Sequence, residues 1–409
     1  MKIGTSAFQI GILGGGQLSK MLLEPAYRMG LHPLVYTDSS QDPAASLSPD
    51  AVYGQARDLV SLRRFLSQVA VCLFENEFVD CDLLEVAARG LNVEFIPALQ
   101  TLKLLQNKLR QKKLLSSLEI PSAAYQEYDP KIESVKAWAL RMLGEFNQGL
   151  VFKWAEQGYD GKGTFIVPAG AGTPGSKSGL EREVVSFCEQ AHERGLPLFV
   201  EEKISFVREL AVIGCYSKSD EFTAYPLVIS EQEKGICRKV LGPASLWGVS
   251  AELQAQAKAA AHKVAREARL FGCFGIEFFE THEGELLVNE LAPRVHNTGH
   301  YTQDASQTSQ FENHLRAVLG HPLGSTQSEP CFGMLNLLGP GGVAVPSASV
   351  RLPTSTSESH FHWYGKNEIR SGRKMGHFNL TARTPAELQK SFQKIETLLQ
   401  AWAKEIRTS

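Results

Sequence analysis

The chain has 409 residues, of which 43% are hydrophobic and 21% are charged, and this composition excludes a disordered, collagenous or coiled-coil protein. Its 42 Lys and Arg residues nearly balance 44 Asp and Glu residues, which argues against a protein that holds nucleic acid. At about 150 residues per domain, the length predicts two or three domains. Seven scattered cysteines without a Cys-x-x-Cys pair, no membrane-length apolar run and no signal peptide predict a cytoplasmic protein with no membrane partner.

Strand and helix patterns alternate through the first hundred residues. Strands are predicted at 9–13, 33–36, 69–74 and 93–96, and helices at 17–29 and 81–89. This alternation predicts a parallel sheet with crossover helices. The turn Gly14–Gly16 resembles a dinucleotide fingerprint, with Ser19 in the third-glycine position and Asp38 near the ribose position. Such a turn is compatible with a phosphate contact and equally with tight packing.

The middle of the chain has a different pattern. One Lys-rich helix is predicted over 102–118, an exposed loop over 168–180 and a long Ala-rich helix over 251–270. Strands joined without long helices are predicted at 150–154, 164–167, 198–202, 209–214 and 224–229. Boundaries near residue 100 and near 325–330 divide the chain into 1–100, 101–328 and 329–409, and the last part is predicted to hold short β segments and a terminal helix.

A lysine inside an apolar strand, Lys153, precedes the glycine-rich segment Gly158–Thr164. A lysine is costly to bury without a partner, and three glycines allow the backbone to fold over a phosphate chain. Together they favour a nucleoside triphosphate. The alternative is a surface hairpin with Lys153 extended towards solvent.

Two acidic residues, Glu277 and Glu290, lie on predicted strands that flank a turn at Gly284. A two-residue turn places them directly opposite and a four-residue loop makes them diagonal neighbours, so they share one face in both registers. Carboxylates about 5 Å apart repel unless a proton or cation lies between them, so the pair predicts a Mg²⁺ site. Acids at a sheet end are the alternative. The shared face is also predicted to carry three apolar residues, Phe279, Leu286 and Val288.

Two later segments offer donors for anions. The first, directly after the acidic hairpin, supplies Arg294, His296 and Asn297. His296 and His300 have the i,i+4 spacing of a helical zinc site, but the loop between them disfavours one. The second segment, 362–377, is basic; Lys366 and Arg373 in it suit a phosphate monoester, the alternative being a solvated charge cluster.

These residues resemble the ATP-grasp superfamily and, more narrowly, the N5-carboxyaminoimidazole ribonucleotide synthases, the biotin-free carboxylases of purine synthesis. The resemblance runs nearly end to end and rests on Gly14–Leu18, Phe74–Asn76, Gly158–Gly163, Asn289–His300, Ser309–Arg316, His362–Lys366 and Gly372–His377. It implies an α/β and α+β ATP-grasp fold with an N-terminal Rossmann-like pre-ATP-grasp domain, a lid subdomain at about 121–195 and a small β-rich C-terminal domain. It also implies a homodimer.

The resemblance implies a reaction that joins ATP, bicarbonate and 5-aminoimidazole ribonucleotide, with carboxyphosphate as an intermediate. Contacts to ATP are implied for Lys108, Lys153, Gly158, Tyr159, Asp160, Gly161, Lys162, Gly163, Thr164, Glu201, Glu202, Lys203, Ile204, Glu209, Gln232, Asn289 and Glu290. Mg²⁺ ligation is implied for Glu277 and Glu290. The implied substrate-binding residues are Glu75, Tyr159, Asp160, Arg294, Lys366 and Arg373, and the implied catalytic residues are Arg294, His296, Asn297 and Lys153. Glu202-Lys203 departs from the small residue usual in the adenine-binding link.

Three alternatives remain open at the level of sequence. The Gly14 turn and Asp38 would suit a nicotinamide-dependent dehydrogenase, which leaves Lys153 and the acidic pair unexplained. A non-catalytic nucleotide-binding scaffold would not need every phosphate and metal side chain. A sister ATP-grasp ligase with another acid or amine would not need the 366–377 motif.

Overall fold

Three β-sheets and a two-stranded ribbon organise the part of the chain that the structure describes. The computed structural model describes residues 8–145, 149–156, 163–170, 177–233 and 235–408. In these ranges, no helix is both long and apolar enough to cross a bilayer.

The N-terminal sheet is parallel throughout, as predicted, with strand order 3-2-1-4-5. Its strands are β1 (Phe8–Leu13), β2 (Leu34–Thr37), β3 (Val52–Tyr53), β4 (Val69–Phe74) and β5 (Glu94–Ile96), and its helices are α1 (Gln17–Arg28), α2 (Leu59–Leu66) and α3 (Cys81–Ala87). Asp58 and Asp80 cap α2 and α3 by accepting from backbone N–H groups in their first turns. The proposed boundary near residue 100 falls just after this sheet.

Two helices, α4 (Leu99–Leu105) and α5 (Lys108–Ser117), replace the single helix predicted over 102–118. Asn107 causes the break, because its side chain accepts from the backbone N–H of Arg110 and caps α5. The prediction was wrong because the charged, Leu-rich run contains a helix-capping residue, Asn107, in its middle. The break places Lys108 in the first turn of α5.

The small sheet is antiparallel, in the order β6-β9-β7-β8. It consists of β6 (Tyr125–Glu127), β7 (Leu150–Trp154), β8 (Thr164–Val167) and β9 (Leu198–Glu202), with the helices α6 (Val135–Glu145) and α7 (Lys177–Glu193). The 17-residue α7 lies between β8 and β9, so the prediction that these strands connect without a long helix was wrong. It also begins inside the segment 168–180 that was predicted to be loop.

The central sheet runs in the order β15-β14-β10-β12-β13-β16-β20-β18, with β11 paired to β10. Its strands are β10 (Phe206–Tyr216), β11 (Phe222–Ala224), β12 (Val228–Glu233), β13 (Ile236–Gly242), β14 (Gly272–Thr281), β15 (Leu286–Ala292), β16 (Cys331–Leu338), β18 (Ser359–Trp363) and β20 (Lys374–Ala382); β17 (Ala344–Pro346) and β19 (Glu368–Arg370) form the ribbon. The helices are α8 (Ala251–Glu267), α9 (Thr302–Ala305), α10 (Gln310–Leu319) and α11 (Pro385–Thr408). The strand predicted over 224–229 is interrupted by residues 225–227.

The last part of the chain continues the central sheet, because β16 pairs with β13. The segment 329–409 therefore shares its hydrogen-bonded ladder with the middle of the chain, and the division into three domains stays a prediction. One face of the sheet is apolar and packs beneath α8 and α11. On the other face, apolar cover from α1 and α10 reaches Ala211 and Cys273 and stops before Glu277, where the sheet turns polar.

Candidate active site

A β-bulge brings the two predicted metal ligands face to face. The hairpin turns through three residues, because Thr281 donates its N–H to Glu285 across 282–284. A loop of odd length alone would place Glu277 and Glu290 on opposite faces. The register shifts by one at Asn289, so that Glu277 lies directly opposite Glu290.

The predicted facing of the two acids is thus confirmed, although neither predicted loop length is found. The prediction that Leu286 and Val288 share their face was wrong. Both side chains point into the apolar core with Phe278, because they precede the bulge. Phe279, which pairs with Leu287, does lie on the acidic face.

A third carboxylate, Glu209, lies on the same face. Glu209 is two residues from Ala211, the β10 partner of Glu277. Burial, followed by the charges of Glu290 and Glu209, raises the pKa of Glu277 to about 7. Burial alone raises the pKa of Glu209 to about 7. This face therefore carries crowded negative charge that a cation would relieve.

The acidic face fits Mg²⁺, which prefers carboxylate oxygens and keeps several coordination positions for phosphate and water. Within the described ranges, no group of three or more acidic, His or Cys side chains is close enough to cage a cation. Glu277 and Glu290 would therefore supply only part of an octahedral shell. A triphosphate and water would have to complete it.

Helix α5 connects the two sheets that flank this face. Its Lys108 Nζ lies 2.8 Å from Glu290 Oε2, and its Lys112 Nζ lies 2.9 Å from Glu201 Oε2 in the small sheet. Burial opposes ionisation of Glu290, but the ion pair with Lys108 and the charges of Lys153 and Arg294 together outweigh it and lower the pKa. The cleft between the sheets is thereby lined by alternating positive and negative groups.

Lys153 is buried with a partner. Its Nζ forms an ion pair with Glu201 Oε1, and the two side chains are 13% and 5% exposed. The alternative of a solvent-directed Lys153 is therefore wrong. Because Glu201 also contacts Lys112, its carboxylate is shared between two lysines, and burial of this carboxylate is outweighed by their charges, which lower its pKa.

The loop after β15 carries the predicted anion donors. Arg294 forms a bidentate ion pair with Glu77 of the N-terminal part, 217 residues away in sequence. His296 Nδ1 is 2.8 Å from Thr298 Oγ1, and its Nε2 is 3.6 Å from Glu277 Oε1. Burial and then the charge of Arg294 lower the pKa of His296 to about 3, so its ring is neutral at pH 7.

Three amide side chains, from three different elements, hold the loop and its strand. Gln310 Nε2 donates to the carbonyl of His296 at 2.8 Å, and Gln310 Oε1 accepts from the N–H of the same residue at 2.9 Å. Gln111 makes the same two-way contact with Leu291. Asn297 pairs with Asn336 of β16 through both amide groups. The donors are therefore held from three different elements.

In the glycine-rich turn after β1, a carboxylate side chain of the protein binds the backbone N–H groups that could otherwise bind a phosphate. Glu75 accepts from the N–H of Gly16 at 2.7 Å and from the N–H of Leu18 at 3.3 Å, at the start of α1. A Cβ on Gly16 would lie 2.1 Å from Glu75 Oε1, and one on Gly14 would lie 2.6 Å from Glu75 Cβ. The glycines therefore admit the Glu75 carboxylate, and the tight-packing interpretation of the turn is supported.

The basic C-terminal segment packs against the N-terminal part. Lys20 of α1 donates to the carbonyl of Trp363 at 2.8 Å, and Asn367 donates to Gln41 at 2.6 Å. Among the charges that act on Glu75 is that of Lys366. The structure therefore brings together two residues of the proposed substrate side.

The remaining predicted residues are placed as follows. Gly158, Tyr159, Asp160, Gly161 and Lys162 lie outside the described residues. Thr164 follows Gly163 and pairs with Lys153, Gln232 lies on β12 near Glu209, and Asn289 forms the bulge. Glu202 ends β9, and Lys203 and Ile204 lie on the link to β10. Arg373 donates to the carbonyl of Glu368 at 2.9 Å.

Sequence reasoning missed five residues that hold the site: Glu77, Gln111, Lys112, Gln310 and Asn336. Two of them had a usable signal, because Glu77 follows the Phe74–Asn76 motif directly and Gln310 lies inside the Ser309–Arg316 motif. The other three are ordinary residues of a helix and a strand, and only the tertiary fold brings them to the site.

Comparison with known families agrees with this architecture. Family models match for a ribonucleotide synthetase preATP-grasp domain at residues 7–106, an ATP-grasp domain at 113–311 and a phosphoribosylaminoimidazole carboxylase C-terminal domain at 333–391. Fold and site together define an ATP-grasp ligase, and the predicted fold class is confirmed.

Individual relatives narrow the class. N5-carboxyaminoimidazole ribonucleotide synthase of Mycobacterium leprae is 36% identical over 380 residues, which cover 90% of this chain and 83% of that protein. That of Synechococcus elongatus is 34% identical over 399 residues, covering 95% and 93%. The crystal structure of the Aspergillus clavatus enzyme with ATP superposes with a TM-score of 0.82 at 30% identity, covering 97% of this chain and 99% of that one. The chain belongs to the N5-carboxyaminoimidazole ribonucleotide synthase family.

Another crystal structure of the A. clavatus synthase, in complex with ADP and 5-aminoimidazole ribonucleotide, has a TM-score of 0.80 at 30% identity. It covers 97% of this chain and 99% of that one. The family assignment confirms the resemblance found in the motifs.

Proposed function

We propose that this protein uses ATP and bicarbonate to carboxylate 5-aminoimidazole ribonucleotide on its exocyclic amine, giving N5-carboxyaminoimidazole ribonucleotide, ADP and phosphate in purine biosynthesis. One observation carries the proposal beyond family membership. Glu277 and Glu290 face each other at a bulge, beside Lys108, with Arg294 and His296 on the next loop. Two carboxylates, an ammonium group and two further donors therefore lie around one point of the central sheet, which supports metal binding, phosphate binding and orientation of a carboxyl group there.

The nucleotide side of the site follows from the charges. Lys108 and Lys153 now neutralise Glu290 and Glu201, and each can instead contact a phosphate oxygen when ATP enters. We infer that Mg²⁺ is held by Glu277 and Glu290 and supplies electrostatic stabilisation of the transferring phosphoryl group. The ATP contacts assigned to the segment 158–162, to Glu201–Ile204, Glu209, Gln232 and Asn289 stay predictions.

The acceptor side combines two distant parts of the chain. Arg294, a cation, and His296, a neutral ring, are suited to orient a carboxyl group without protonating it. Lys366 and Arg373 are assigned to the phosphate of the ribonucleotide. Glu75 is assigned to the same ribonucleotide, because the segment that carries Lys366 packs on the N-terminal part. Tyr159, Asp160 and Asn297 stay predicted contributors.

We infer that the protein is a homodimer, as the resemblance implies. The scattered cysteines support a cytoplasmic location, and the near balance of charges argues against a nucleic-acid partner. Light scattering on the purified protein would give a mass near twice 45.0 kDa if the dimer is correct.

The decisive experiment measures phosphate release from Mg-ATP with bicarbonate, in the presence and absence of 5-aminoimidazole ribonucleotide, together with detection of the carboxylated product. We expect release to depend strongly on the ribonucleotide. A sister ATP-grasp ligase would release phosphate with another amine and leave the ribonucleotide unchanged, and that result would overturn the proposal.

A further inference from the structure

The ion pair between Glu77 and Arg294 has a defined geometry. Arg294 donates through Nε to Glu77 Oε2 at 2.5 Å and through Nη2 to Glu77 Oε1 at 3.1 Å. The two side chains are 11% and 18% exposed. Two parallel hydrogen bonds of this kind orient the guanidinium plane as well as attracting its charge.

The N–H groups of the Arg294 guanidinium can be counted against their hydrogen-bond partners. A guanidinium has five N–H donors. Two are used by Glu77, and a third, on Nη1, is directed at the carbonyl of Val295 at 3.3 Å. Among the residues that the structure describes, one N–H on each terminal nitrogen has no hydrogen-bond partner, and two such donors match the two oxygens of a carboxyl group.

Glu77 is itself held in place. Its carbonyl accepts from Gln106 Nε2 at 2.5 Å, and the same amide donates to the carbonyl of Val79 at 2.7 Å. Arg294 is also attracted by the charges of Glu290 and Glu75, but of these three carboxylates it is hydrogen-bonded to Glu77. Glu77 is therefore the carboxylate that sets the plane of the Arg294 guanidinium.

We propose that Glu77 is a positioning residue for carboxylation: it orients Arg294 so that the two remaining N–H groups face the carboxyl group derived from bicarbonate. The proposal rests on the function proposed above. It assigns to the N-terminal part of the chain a role in the chemistry that takes place on the central sheet.

The test is steady-state kinetics of Glu77→Gln with bicarbonate, ATP and the ribonucleotide varied in turn. We expect kcat/KM for bicarbonate to fall about ten- to a hundredfold, since misplacing an orienting group by about 1 Å has effects of this size. The KM for ATP should stay within about twofold, because Lys108 and Lys153 are untouched. A rise in the KM for ATP as large as the loss in kcat/KM for bicarbonate would overturn the positioning role.

Glu280→Gln is the matched control. Glu280 pairs with Arg208 at 2.9 Å, and its side chain is 11% exposed, as is that of Glu77. It lies on the acidic hairpin with Glu277, but on the opposite face of the sheet. Its loss should leave the bicarbonate dependence of a folded enzyme unchanged. A bicarbonate defect in this control as large as that of Glu77→Gln would also overturn the proposal.

A double-mutant cycle tests whether Glu77 acts through Arg294. In an Arg294→Lys background, Glu77→Gln should have little further effect on bicarbonate kinetics, whereas additive losses would contradict the proposal. If Glu77→Gln does not fold, Glu77→Asp, which keeps the charge but withdraws it by one methylene, should show the same selective defect. A wild-type enzyme that does not carboxylate the ribonucleotide would instead refute the proposed function, which separates the two failures.

Discussion

The glycine-rich turn after β1 and the acidic hairpin of β14 and β15 both lie at ends of strands, and both were candidates to contact a phosphate. In the turn, the backbone N–H groups of Gly16 and Leu18 already receive an anion, the carboxylate of Glu75. In the hairpin, Glu277 faces Glu290 and Glu209, and burial and these charges raise its pKa to about 7 against the opposing charges of Lys374 and Lys108.

The difference between the two regions shows where a nucleotide would gain most. Backbone N–H groups that already bind a carboxylate of the protein gain little by binding the phosphate of a ligand. Crowded carboxylates can be relieved by a cation, and a metal triphosphate brings both that cation and phosphates for Lys108 and Lys153. The glycine motif is the more visible signal in the sequence, but the acid pair is the better indication of function.

The largest expected effect comes from removing one acid of the hairpin. Glu290→Gln should lower turnover by several orders of magnitude with the fold intact, because the metal loses an anionic ligand. Turnover and far-UV circular dichroism would be measured beside Glu280→Gln, which alters the other face of the same hairpin. Near-normal turnover at saturating Mg-ATP would contradict the metal assignment.

A smaller effect is expected at the basic C-terminal segment. Arg373→Ala should raise the KM for the ribonucleotide on the order of ten- to a hundredfold, since charge-assisted hydrogen bonds contribute about 1.5–3 kcal/mol each. The KM for ATP should hardly change. Arg370→Ala is the control, because Arg370 lies on the same segment, is 59% exposed and pairs with Glu368. If the ATP KM rises instead, the segment has been assigned to the wrong ligand.

The acidic face also predicts a pH dependence of stability in the metal-free protein. The pKa of Glu277 rises from 4.5 to about 7 on folding. The folded state therefore holds the extra proton between these values, and the resulting stabilisation is complete below pH 4.5 and lost as the pH rises through 7. Glu277→Gln avoids this loss, so it should be more stable than wild type at pH 8, by on the order of 2–3 kcal/mol, and inactive.

Urea unfolding of both proteins with EDTA, at pH 5 and pH 8, measures this difference. The gap in the free energy of unfolding should widen towards pH 8. If the difference in the free energy of unfolding is the same at both pH values, ionisation of Glu277 does not destabilise the fold. The contrast with the glycine-rich turn would then lose its main support.

The smallest expected effect is a shift in Tm, which tests whether a nucleotide binds at the acidic hairpin or at the glycine-rich turn. Mg-ATP at about a hundred times its Kd should stabilise the protein by about 2.7 kcal/mol and raise the Tm by a few degrees. NAD⁺ or NADH at the same concentration should leave the Tm unchanged, because Glu75 occupies the turn. A Tm shift with NADH alone would reopen the dehydrogenase alternative.

Local patterns in the sequence were sufficient for the N-terminal sheet and for the facing of Glu277 and Glu290. Alternation of strands and helices has one common outcome, and a period of two puts the acids on one face. The prediction reached the right pairing through the wrong turn, because a loop of odd length and a bulge at Asn289 cancel each other. Neither feature has a signal in one sequence.

Contacts between distant segments could not be predicted from the sequence. The pairing of Arg294 with Glu77 spans 217 residues, and β16 joins β13 across the proposed domain boundary. Such contacts depend on how elements pack, which propensity and periodicity do not describe. The break at Asn107 was a different kind of failure, because a capping residue was present and was overlooked within a helical run.

The amide clamp of Gln310 on His296 has a consequence for which substitutions the chain can tolerate. Gln310 is fully buried and both gives and receives a hydrogen bond on one residue's backbone, as a neighbouring strand would. Glu loses the donor, Asn is shorter by a methylene, and an apolar replacement abandons both backbone groups. In a saturation-mutagenesis library selected for growth without purines, position 310 should accept almost nothing but glutamine, although its side chain has no assigned contact with any substrate.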